Sequence, residues 1–66
     1  MQIDQQQKLY SHLYELVISD ISPSTASALQ DIYGKDISYH GNGKYHLDVH
    51  HDNVTMVTKE LWAAVN

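Results

Sequence analysis

Asp36-Ile37-Ser38-Tyr39-His40-Gly41-Asn42-Gly43-Lys44-Tyr45-His46-Leu47-Asp48-Val49-His50 is the stretch on which the fold turns. Apolar and polar residues alternate on both sides of a Gly-Asn-Gly centre, the period-2 signature of two half-buried strands. A three-residue loop, a type I turn followed by a left-handed Gly43, places Tyr39 opposite Tyr45 and Ile37 opposite Leu47. Val49 extends the same face, while Ser38, His40, Lys44, His46, Asp48 and His50 point the other way. A two-residue Asn-Gly loop would mix apolar and polar side chains on each face, so the pattern selects the longer loop. That register sets Asp36 against Asp48, a mildly unfavourable like-charge pair. A hairpin cannot stand alone in water. The rest of the chain must cover its Ile37/Tyr39/Tyr45/Leu47/Val49 face.

Upstream, Asp4 to about Ser19 reads as a helix. Asp4 and Gln7 form a capping box, and Asp4 and Lys8 an i,i+4 ion pair. Leu9, Leu13, Leu16 and Val17 share a face, which Ile3, Tyr10, Tyr14 and Ile18 widen to about half the circumference, beyond the ~100° stripe of a surface helix. A second helix follows, with Ser22 as N-cap, Pro23 in the first turn, Ala26, Leu29, Ile32 and Tyr33 at helical spacing, and Gly34 as the stop. Downstream, Val54, Val57, Leu61, Ala64 and Val65 form one helical face after an Asp52 or Asn53 cap, with Trp62 at its edge. Residues 54–58 are locally β-prone, and a third strand is the alternative there. The continuous face through Lys59-Glu60-Leu61-Trp62 favours the helix. The expected fold is therefore α+β, a single domain over residues 1–66 in the order α-α-β-β-α, with a two-stranded antiparallel hairpin packed on helices.

Sixty-six residues without cysteine exclude disulfides and thiolate metal sites. A single core of this size rarely supplies more than about 3–5 kcal/mol, so association with a partner is an expected supplement. No apolar run approaches the ~20 residues of a membrane span. Met1-Gln2-Ile3-Asp4-Gln5 has neither the basic start nor the apolar region of a signal peptide. A cytoplasmic chain without a membrane is expected, and the lack of cysteine agrees with a reducing compartment. Eight Asp+Glu oppose four Lys+Arg, for a formal net charge of −4. The four cations are all lysines (Lys8, Lys35, Lys44, Lys59), and the second helix carries none. Nucleic-acid binding, which draws on cationic phosphate contacts and on arginine for base readout, is disfavoured.

Four of the five histidines lie between residues 40 and 51. Imidazoles and carboxylates together are ligands for zinc or nickel. His40, His46, Asp48 and His50 are the candidate set, although His46 and His50 on one strand are too far apart to share an ion. A solvated polar sheet face is the simpler reading, and no cofactor is expected. Ser38, His46 and Asp48 make a formal Ser/His/Asp set but belong to no nucleophile motif, so no enzyme is expected. Gly41-Asn42-Gly43 lacks the lysine and following helix of a phosphate loop.

Tyrosine and tryptophan are enriched at binding hot spots. Tyr10, Tyr14, Ile18 and Trp62, with His46 and Asp48, form the expected partner-binding surface. The function expected on these grounds is a small acidic protein-binding module. By analogy of size and charge, its concrete form is a phage or mobile-element inhibitor of a larger host protein, of the anti-defence (anti-CRISPR) type, acting by surface occlusion. The alternatives are a self-associating homodimeric structural protein and a histidine-rich metal-binding domain.

Overall fold

The computed structural model describes residues 1–8 and 12–65. The hairpin forms in the expected register. Strand β3 (Ile37–Tyr39) pairs antiparallel with β4 (Tyr45–His50), with Ile37 opposite Leu47 and Tyr39 opposite Tyr45. The turn chemistry differs from expectation. Asn42 and Gly43 both have positive φ (55° and 72°), as a type I′ turn requires, and Lys44 N–H donates to Gly41 C=O at 3.0 Å. Gly41, at φ 84°, is the extra residue that sets the apolar register. Asp36 does not meet Asp48: it closes a 3₁₀ turn (Gly34–Asp36) before β3 begins.

The expected helix over residues 4–19 is instead a second hairpin. Strand β1 (Gln2–Gln7) pairs antiparallel with β2 (Leu13–Ser19), Ile3 opposite Ile18 and Gln7 opposite Tyr14. β2 also pairs with β4, Leu16 opposite Leu47, so the sheet order is β1-β2-β4-β3. The central position of β2 explains the difference. Strands flank it on both sides, and the consecutive residues inward Leu16, outward Val17 and inward Ile18 are all buried, although helices cover only the inward face. A strand apolar on two faces mimics an over-wide helical face, and a short apolar run does not distinguish the two by periodicity. The reversal between β1 and β2 contains no Gly or Pro to announce a turn.

Helix α1 (Pro23–Tyr33) follows the expected signals. Ser22 Oγ accepts from Thr25 N–H at 3.2 Å, Pro23 lies in the first turn, and Gly34, at φ 51°, caps the end. Helix α2 (Val54–Ala64) is a helix and not a strand, entered through a 3₁₀ turn (His51–Asn53). Both helices pack on one face of the sheet, the class being α+β in the order β-β-α-β-β-α. The core is one cluster: Leu16, Ile18, Leu47, Val49 and Ile37 from the sheet, Leu29 from α1, and Val54, Val57 and Leu61 from α2. Among the described residues no buried side chain is polar or charged. None of their helices is long and apolar enough to cross a membrane.

Candidate functional site

The sheet is covered by helices on one side only, and the strand alternation decides which residues face away from them. Val17, His46 and Ser38 lie in one cross-strand row, Glu15 and Asp48 in the next, and Leu13 and His50 in the third. These positions are opposite in parity to the core residues Leu16, Ile18, Leu47 and Val49, so they form the outer face.

That face carries a linked set of polar groups. Glu15 and Asp48 are direct cross-strand neighbours of like charge, an arrangement that is unfavourable alone. Lys8, just beyond β1, offsets it, with Nζ 2.8 Å from Asp48 and 4.0 Å from Glu15. The hydrogen bond to Asp48 is the main reason the Lys8 ammonium is held above the ordinary lysine range, against a smaller opposing effect of desolvation. The other Glu15 oxygen lies 3.0 Å from His46 Nδ1, out of line for a hydrogen bond. His46 stacks on His40 with ring centroids 3.7 Å apart, and His40 Nε2 meets Ser38 Oγ at 3.0 Å.

A second group stands where β4 ends. His50 and His51 stack at 4.5 Å, and Asp52 reaches both: 2.9 Å to His51 Nδ1 and 3.6 Å to His50 Nδ1. The His12 ring lies 5.8 Å from that of His51 and 6.5 Å from that of His50. The β2–β4 register brings it there by pairing Leu13 with His50, and His51 N–H donates to the His12 carbonyl at 2.9 Å.

The residues expected to share a partner-binding surface are dispersed. Ile18 is fully buried in the core, so it cannot belong to a surface. Tyr14 is half-buried against the same core. His46 and Asp48 lie on the opposite side of the sheet, and Trp62 is exposed on α2. Tyr10 lies outside the described residues. The expected metal set divides as well. His40 and His46 meet ring to ring, Asp48 is engaged by Lys8, and His50 belongs to the second group. Sequence reasoning missed Lys8 and Glu15 by placing both on a helix. It also missed His51 and Asp52, although the His50-His51-Asp52 run was its visible signal. His12 had no local signal, because only the β2–β4 pairing carries it to the site.

One further surface stands out. β1 is an edge of the sheet, six residues long, without proline and with Asp4 as its single charge. β3, at the other edge, is three residues long. Lys8 N–H donates to Leu13 C=O at 3.1 Å. By the alternation of an antiparallel ladder, Ile3, Gln5 and Gln7 then turn their backbone groups away from β2. Among the described residues the surface has no pocket. In comparison with known proteins, the chain matches no family model, no curated protein and no solved structure.

Proposed function

We propose that this chain is a protein-binding module that takes up an extended segment of a partner protein along β1. The observation that carries this reading is the lightly guarded edge. Native sheets guard their edges with short strands, charged side chains (above all lysines), prolines or bulges, and a weakly guarded edge offers a row of backbone donors and acceptors to another strand. β3 has the first kind of protection, whereas β1 has only the single charge of Asp4 within Gln2–Gln7. Backbone bonds along Ile3, Gln5 and Gln7 would supply affinity, and flanking side chains would supply selectivity. Asp4 on the strand and the net charge of −4 favour a partner segment that carries cations. A chain seated this way acts by covering a partner's strand, the manner of an occluding inhibitor.

Self-association is the second reading. Two β1 strands related by a two-fold axis at Gln5 would set Asp4 opposite Gln6 and Ile3 opposite Gln7. No like charges meet in that register, so nothing in β1 opposes it.

Gln5→Pro tests the edge. Its N–H points away from β2, so proline removes only an outward donor and is tolerated on an edge strand. Cross-linked capture from cell lysate should recover a stoichiometric partner with the parent chain and lose it with Gln5→Pro. Trp62→Ala should retain it. Capture that survives Gln5→Pro in a folded protein refutes the edge reading. A concentration-dependent dimer of the pure chain, abolished by the same substitution, decides for self-association.

A further inference from the structure

We propose that His50, His51 and Asp52, with His12 at the fourth position, form a binding site for one divalent transition ion of the zinc class. The inference is independent of the strand-edge reading and uses different residues.

Donor spacing carries the argument. Zinc holds imidazole nitrogen and carboxylate oxygen at roughly 2.0–2.2 Å, which sets two ligands on a tetrahedral ion about 3.3 Å apart. Asp52 presents one oxygen 2.9 Å from His51 Nδ1 and the other 3.6 Å from His50 Nδ1, distances that bracket this value. One ligand atom from each of the three residues falls within 4.8 Å of the other two. All three side chains are exposed, so small rotations bring them onto an ion without disturbing the core. The present use of His50 Nδ1 is a weak one: it accepts a long 3.3 Å bond from Asp52 N–H, which coordination would replace.

The backbone fixes the frame. His50 ends β4, and the 3₁₀ turn His51–Asn53 doubles the next residues back over it. The bond from His51 N–H to the His12 carbonyl ties that turn to the start of β2. His12 thus stands beside the other two rings, with ring centroids 6.5 Å from His50 and 5.8 Å from His51. Three imidazoles with one carboxylate and no thiolate select zinc, nickel or copper(II). They discriminate against calcium and magnesium, which require oxygen-rich shells.

The test is calorimetric titration of the tag-free full chain with zinc chloride at neutral pH, repeated with magnesium chloride. The expected result is one zinc ion per chain, little or no magnesium binding, and a higher Tm with zinc present. His51→Ala and Asp52→Asn should each weaken zinc binding by at least about tenfold, since even outer-sphere changes weaken metal sites 10–100-fold. The double variant His40→Ala/His46→Ala should bind as the parent does. Circular dichroism confirms that each variant is folded, as substitution at exposed positions permits. The site is overturned if zinc gives no heat and no Tm shift, or if His51→Ala and Asp52→Asn bind like the parent. Loss confined to the His40/His46 variant overturns it as well. One ion per two chains would place the metal between copies and refute a site within one chain.

Discussion

Adjacent residues of β2 should respond in opposite ways to substitution, because a strand turns them to opposite sides of the sheet. Leu16 faces the helices at 0% exposure, between Gln5 of β1 and Leu47 of β4. Leu16→Ala removes buried methyl and methylene groups and leaves a cavity, together about 2–5 kcal/mol. Set against a total of ~3–5 kcal/mol for a core of this size, that loss should leave the chain largely unfolded without denaturant. Ile18→Val, also inward and fully buried, should cost about 0.5–1.5 kcal/mol and keep a measurable transition. Val17 is nearly as buried but lies on the polar side, in one row with His46. Val17→Thr keeps the β-branched shape and presents its hydroxyl to polar neighbours, so it should cost at most about 1 kcal/mol. Urea unfolding followed by circular dichroism gives the values for the Ile18 and Val17 variants, and the spectrum without denaturant reports the loss of fold in Leu16→Ala. With a slope near ~1 kcal/mol per molar urea, the Ile18 variant shifts its midpoint by about 1 M. If Val17→Thr is as damaging as Leu16→Ala, or if Leu16→Ala is harmless, residues 13–19 do not alternate as a strand and the reasoning fails.

Burial, reinforced by a 3.1 Å hydrogen bond from its hydroxyl to Glu60, pushes Tyr33 up to about 12. Its folded value exceeds the unfolded one near 10, so its contribution is complete below pH ~10 and is lost as pH rises through ~12. Tyr33→Phe should reduce the steepness of alkaline unfolding measured by circular dichroism, and an unchanged profile would contradict the assignment. Gly43 holds φ 72° in the β3–β4 turn. Gly43→Ala meets no steric obstacle but places a side chain in left-handed backbone, at about 1–2 kcal/mol, readable as a lowered Tm.

The hairpin at residues 36–50 was legible because one short turn fixes a period-2 pattern, and only one register sorts it cleanly. Helix α1 was legible because Ser22, Pro23 and Gly34 each act on the backbone locally. α2 needed the whole face from Val54 to Leu61 to outweigh the β-prone start. Residues 4–19 were not legible, because what makes β2 a strand is the pair of strands beside it. In this inner strand the outward Leu13 and Val17 are apolar like the inward Leu16 and Ile18, so the sequence loses the alternation that would reveal it. The same dependence on distant pairing hid much of the sites. The Lys8 side chain reaches Asp48 across β2, and His12 stands beside His51, only once β2 has docked on β4. The adjacent run His50-His51-Asp52 is visible in the sequence, but strand alternation groups His50 with His40, His46 and Asp48 and leaves His51 and Asp52 outside the set.

The β2–β4 ladder also divides the chain into two units of the same make. β1, β2 and α1 form one hairpin with its helix, and β3, β4 and α2 form another. Each hairpin pairs neighbours in sequence, and the ladder from Leu13–His50 to Ile18–Tyr45 joins them. An exchange of units between two molecules would preserve every bond within each half and recreate the same ladder with a borrowed partner. Gly34, at φ 51°, begins the short 3₁₀ turn through Asp36 that links the two units and through which such an exchange would have to open.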